Sequence, residues 1–138
     1  MKRFILNIVF ILLINMTFFS CRPHVEQNWK GQYAYTNKAG VFFHLNISED
    51  YNYVNYTGNG PDTDFIAHCI GKVEGDEFVI YYREILEDAD EGFNKPKNNR
   101  VKLIKLYYQK GELYTEGYYS SDKEVDKGPK ILFKKIIN

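Results

Sequence analysis

Apolar and polar residues alternate along most of the chain after residue 28. Trp29, Gly31, Tyr33 and Tyr35 share one face of an extended segment, with Lys30, Gln32, Ala34 and Thr36 on the other. A period of two marks a half-buried strand. Asn37-Lys38-Ala39-Gly40 reads as a turn. Val41, Phe43, Leu45 and Ile47 then alternate with Phe42, His44, Asn46 and Ser48 as a second strand. Glu49-Asp50 forms the next turn, and Tyr51–Thr57 reads as a third strand. Gly58-Asn59-Gly60-Pro61-Asp62 reads as a turn because Gly and Pro punctuate it densely. A fourth strand over 64–74 puts the small side chains Ala67, Cys69, Gly71 and Val73 on one face, opposite Ile66, His68, Ile70 and Lys72. Gly75-Asp76 is a hairpin turn into a fifth strand, 77–86. After the longest irregular stretch, 87–99, come strands over 100–109 and 112–119, joined by Lys110-Gly111. A polar stretch to Pro129 precedes an eighth strand, 130–137. Nothing reads as a helix of three or more turns. Short strands at regular spacing predict an all-β meander, either a barrel or a sandwich. Eight strands suffice to close a barrel that is filled or holds one small ligand, and closure removes exposed edges.

Residues 1–21 follow a different pattern. Lys2 and Arg3 precede an apolar run, Phe4 to Phe19, broken by Asn7, Asn15 and Thr17. A positive start, an apolar run and a small residue before a cut describe a secretory signal peptide. Phe18-Phe19-Ser20-Cys21 resembles the lipobox of bacterial lipoproteins, with Phe18 and Phe19 where that family usually carries Leu and a small residue. The resemblance implies cleavage between Ser20 and Cys21 and a diacylglycerol thioether on Cys21. It places the protein in the bacterial cell envelope, anchored to a membrane at its periplasmic or outer-surface face. Two other readings stand beside it. An uncleaved span would need roughly 20 apolar residues, more than this run supplies. An ordinary secretory cut would leave Cys21 a thiol able to pair with Cys69. The expected plan is a signal peptide over 1–20, a polar tether over 21–28 and one domain over 29–138. Arg22 to Asn28, fully extended, reach roughly 23 Å.

The domain start, Trp29-Lys30-Gly31-Gln32-Tyr33, resembles the W-x-G-x-Y opening of many small lipocalin-like domains. In those domains the Trp plugs one barrel end and the Gly lets the chain pass close beside it. Ile131-Leu132-Phe133-Lys134-Lys135 is similar to their closing strand, and the hairpin from Ala67-His68-Cys69-Ile70-Gly71 to Phe78-Val79-Ile80-Tyr81 to their centre. The whole is similar to a domain-of-unknown-function family of small bacterial lipoproteins with this start. The resemblance implies a lipocalin-like, eight-stranded antiparallel up-and-down barrel. It implies no ligand, since one fold hosts many functions.

Composition reinforces the strand reading. The 12 Tyr, 10 Phe and one Trp favour pleated, half-buried surfaces. The 18 basic and 18 acidic residues balance. Loss of Lys2 and Arg3 with a signal peptide would leave a slightly acidic domain, with no basic excess to suggest nucleic acid. His24, His44 and His68 lack metal-ligand spacing. Glu84, Glu87, Asp88, Asp90 and Glu91 form an acidic cluster, followed by Lys95, Lys97, Arg100, Lys102 and Lys105. It reads as a solvated loop of self-neutralising charge, with a docking surface as the alternative. Asp88-x-Asp90-x-Gly92 lacks the remaining ligands of an EF-hand loop. Cys69, among Ala67, Ile70 and Gly71, reads as a buried inert thiol. No nucleophile elbow or phosphate-binding Gly loop occurs. A non-catalytic protein without cofactor or metal is therefore expected. Trp29, Tyr33, Tyr35, Tyr53, Tyr81, Tyr108 and Tyr119 are candidates to line a ligand cavity, since Tyr offers an apolar body and a polar tip. The competing reading is that they pack the barrel. The expected function is small-ligand binding by a lipid-anchored monomer. The alternative is a protein-interaction module, of inhibitor or immunity type, acting through surface loops.

Overall fold

A computed structural model describes residues 26–88, 93, 95–118, 130 and 132–136 of the chain. The described elements are eight strands: β1 (Gly31–Thr36), β2 (Phe42–Ile47), β3 (Val54–Gly60), β4 (Thr63–Glu74), β5 (Glu77–Asp88), β6 (Lys102–Gln109), β7 (Glu112–Gly117) and β8 (Lys134–Ile136). There is no helix among the described residues. Each strand pairs antiparallel with its sequence neighbour from β1 to β7, and β8 pairs with β1. Thr115 of β7 forms a bridge with Lys130, just before β8. The last segment thus connects both edges of the sheet, and the protein is an up-and-down β-barrel, nearly closed. The strand order is the one expected from the sequence.

Alternation decides what faces inward. Tyr33 and Tyr35 of β1, Phe43, Leu45 and Ile47 of β2, Val54 and Tyr56 of β3, and Phe65, Ala67 and Cys69 of β4 are all buried. With Trp29, Phe78, Ile80, Tyr82, Phe93, Leu103, Ile104, Leu106 and Phe133 they belong to one continuous core. The small residues of β4 make room for large rings arriving from β5 and beyond. A Cβ on Gly71 would lie 2.0 Å from the tip of the Phe78 ring.

Several boundaries differ from expectation. β5 runs on to Asp88, β6 begins at Lys102 because Arg100 takes a left-handed backbone, β7 ends at Gly117 and β8 covers only Lys134–Ile136. Two more lie at the ends of β3. Gly58, Asn59 and Gly60 belong to β3, leaving Pro61-Asp62 as the turn. These glycines serve packing: a Cβ on Gly58 would lie 2.4 Å from the Phe65 ring, and one on Gly60 would lie 2.9 Å from the Val41 backbone. The third strand begins at Val54 rather than Tyr51. The Asp50 carboxylate accepts hydrogen bonds from Ser48 Oγ and the Asn52 amide, extending the preceding turn. Tyr51 takes a φ of 61° there. Its hydroxyl accepts a bond from the Trp29 amide at 3.2 Å.

Candidate functional site

The rings proposed as a cavity lining fall into separate groups. Trp29 is 1% exposed, stacked on Phe78 at 5.6 Å and tilted against Tyr108 at 5.5 Å. The buried Tyr33 hydroxyl donates to the Trp29 carbonyl at 2.9 Å. Burial, and then the neighbouring Tyr108 and Tyr51 phenols, push the Tyr33 phenol far above its ordinary range. Trp29, Tyr33 and Tyr108 therefore close one barrel end together. The chain enters there through Gly31, whose φ of 132° suits glycine alone. Tyr35 lies deeper, stacked on Phe43 at 4.9 Å and edge-on to Phe133 at 4.6 Å. Tyr53 stands on the outer wall against His68, ring centroids 4.5 Å apart. Tyr81 is also on the outer wall. Tyr119, like Ser20 and Cys21, lies outside the described residues.

The interior rings touch one another. Tyr56 packs edge-on to Phe65 at 5.3 Å, and Phe65 tilts against Phe93 at 4.7 Å. Phe93 comes from the charged loop and is 3% exposed. Its amide donates to Asp88 Oδ1 at 3.4 Å, and Asp88 Oδ2 in turn meets Lys95 Nζ at 3.2 Å. The loop expected to be wholly solvated thus sends a ring into the core. Asp90 and Glu91 lie outside the described residues. No cluster of three or more potential metal ligands occurs among those described.

The clefts open elsewhere. A cleft of about 230 Å³ at the Trp29 end carries Glu26 and Asp76 beside Val73 and Tyr108. A larger one, about 460 Å³, lies on the outer wall and is lined by Ile70, Lys72, Tyr81, Arg83 and Arg100. The two-residue turn at Gly75-Asp76 sets Ile70 opposite Tyr81 and Lys72 opposite Val79. Register shifts between His68 and Cys69 on β4 and between Ile80 and Tyr81 on β5 flank this cleft. Such bulges bend a strand and re-aim its side chains.

Tyr81 is fixed by its surroundings. Its hydroxyl donates to Glu74, and Lys102 Nζ reaches the other Glu74 oxygen at 3.2 Å. The Tyr81 hydroxyl, and then Lys102, hold the Glu74 carboxyl below its ordinary range. Lys72 and Lys102 stand over the Tyr81 ring at 5.4 and 5.7 Å. Glu74 offsets Lys102, and Glu84 is engaged by His68 Nδ1 at 3.3 Å. Lys72, Arg83 and Arg100 form no ion pair with a carboxylate among the described residues. The cleft therefore gathers Lys72, which lies within electrostatic reach of Glu74, and two arginines with no ion pair to a carboxylate among the described residues around an aromatic floor. Arg100 has a φ of 84°, which costs a non-glycine residue about 1 kcal/mol. Its amide donates to the Tyr82 carbonyl at 2.8 Å, and the Tyr82 amide donates to the Val101 carbonyl at 2.9 Å. These bonds hold the strained residue at the cleft's edge.

Arg83 carries no motif, so the sequence pattern passes over it. Alternation along β5 is the signal that finds it: Tyr81 and Arg83 fall on the outer side of the buried Tyr82, and the register shift at His68/Cys69 leaves Arg83 unpaired there. No family model, curated protein or solved structure matches the chain.

Proposed function

We propose that this is a lipid-anchored envelope protein whose barrel is a filled, non-catalytic scaffold that recognises its partner through the outer wall. One observation carries the reading: buried rings occupy the interior, while cations without a carboxylate partner among the described residues and an exposed cleft gather on the wall between β4 and β6. A barrel that uses its interior needs an apolar pocket with a few placed polar groups. Here the rings from Trp29 to Phe133 take that space. For this reason the alternative, an interaction module, is favoured over the expected interior small-ligand binder, with the outer wall in place of the surface loops. The anchor rests on the charged start, the apolar run and the Ser20-Cys21 junction. With acyl chains at Cys21, a tether reaching roughly 23 Å keeps the domain beside the membrane, and two or more chains make that anchoring stable.

The test pairs wall and loop. The full chain in detergent, carrying Lys72→Glu and Arg83→Glu, is compared with wild type for partner capture from an envelope extract. A second variant changes Glu49 and Asp76, away from the wall cleft. Loss of capture in the first variant alone supports the outer-wall reading; equal capture by all three overturns it. Cys21→Ser should abolish metabolic palmitate labelling, and retained label would overturn the anchor.

A further inference from the structure

The wall cleft has a composition that selects among partners. Its floor is the Ile70 side chain and the Tyr81 ring, and its rim is Lys72, Arg83 and Arg100. The Tyr81 hydroxyl is committed to Glu74, so the phenol is not free to serve as a donor. Every remaining donor head group in the cleft is a cation. Such a site offers charged donors to an acceptor, while its one side-chain acceptor, the Tyr81 oxygen, already meets Lys102. It would repel Lys and Arg side chains on a partner.

We propose that this cleft binds a phosphate group. Charge number and donor geometry favour phosphate over carboxylate. Arg83 and Arg100, with no ion pair among the described residues, together with Lys72 and Lys102 sharing the single carboxylate of Glu74, leave an excess of positive charge that matches a dianion better than a single negative charge. Two guanidinium forks suit a tetrahedral oxyanion that can accept from both at once. Arg100 holds a left-handed backbone, φ 84°, directly after Asn98 and Asn99, residues that tolerate that conformation better. Strain kept at a cleft edge for the sake of a cation fits a binding role. The phosphate belongs either to a free phosphorylated molecule or to a lipid headgroup, and the chemistry is the same for both. This inference rests on the outer-wall reading and deepens it.

The test is an amide NMR titration of the full chain in neutral detergent. The probes are inorganic phosphate, acetate, and the short-chain lipids dihexanoyl phosphatidic acid and dihexanoyl phosphatidylcholine, at low salt and again at higher salt. Phosphate and phosphatidic acid should give saturable shifts centred on Ile70, Tyr81 and Arg100. Arg83→Gln and Arg100→Gln should each weaken binding about tenfold, the loss of one charge-assisted bond. Added salt should weaken it further. Stronger binding of phosphatidic acid than of phosphate would assign the site to a headgroup, and equal binding would assign it to the phosphate group itself. Acetate binding as tightly as phosphate, or shifts unchanged in both Gln variants, would overturn the proposal. If phosphate fails while partner capture still depends on Lys72 and Arg83, this inference falls and the outer-wall reading stands.

Discussion

Gly71→Ala tests whether the interior is filled as tightly as its geometry implies. The new Cβ would sit 2.0 Å from Phe78 Cζ and within 2.9 Å of two further ring atoms. An ordinary carbon–carbon contact is about 3.5 Å, so the ring tip must retreat by about 1.5 Å. It has little room to do so. Trp29 stacks on Phe78 at 5.6 Å, and Tyr51 meets it edge-on at 5.0 Å. Overpacking of this kind costs about 1–3 kcal/mol, and the trapped ring places the substitution near the upper end. At about 4 °C per kcal/mol for a domain of this size, Tm should fall by about 12 °C. Gly75→Ala is the control. Gly75 has a φ of 65°, and nothing lies within 4 Å of where its added methyl group would stand, so only backbone strain of about 1 kcal/mol applies. Thermal unfolding followed by circular dichroism reads both variants. Phe78→Leu combined with Gly71→Ala should recover part of the loss, giving a coupling of about 1 kcal/mol or more. A Gly71→Ala variant no less stable than Gly75→Ala, or a double variant that is simply additive, would refute the packing argument.

Three other outcomes are expected. Thr115 is wholly buried, and its Oγ1 has no hydrogen-bond partner among the described residues. Thr115→Val should therefore raise stability by about 1 kcal/mol in urea unfolding, and a loss would show that the hydroxyl is satisfied. Burial pushes the Cys69 thiol far above its ordinary range. Alkylation of its peptide, followed by mass spectrometry, should run at least about a thousandfold slower in the native state than in urea, tracking the unfolded fraction; comparable rates would contradict the burial. Tyr81→Phe removes the hydroxyl that most lowers the Glu74 carboxyl, so the carboxyl should titrate closer to its ordinary value by NMR. Because the folded value is the depressed one, Glu74 favours the folded state above its unfolded pKa, and that contribution is lost as pH falls through the folded value. The variant should show less of that acid-side loss, and an unmoved Glu74 titration would contradict the assigned donor.

Much of the fold was legible because period-two patterning and turn chemistry agree. The hairpin turns at Gly75-Asp76 and Lys110-Gly111 appear where expected, with pairing on either side of them. Patterning failed where a residue served a distant partner. Gly58 and Gly60 look like turn residues, yet they lie in β3 because Phe65 and Val41 press against them. Phe93 was hidden in a charged run, since no local period marks a lone ring that folds back onto Phe65 and Tyr82. The tyrosines carried an ambiguous signal. Tyr serves an interior, a barrel end and a wall equally well, and only the register separates Tyr33 from Tyr81. Arg83 and Arg100 became neighbours through pairing and a left-handed residue, which composition does not encode.

The most direct measurement maps where a partner touches. Aromatic side-chain and amide NMR spectra of the full chain are recorded with and without the partner fraction captured from an envelope extract. An outer-wall module predicts shifts at Ile70, Lys72, Tyr81, Arg83 and Arg100, with the ring signals of Tyr33, Phe43 and Tyr56 unmoved. Shifts concentrated on those interior rings, with the wall silent, would contradict it.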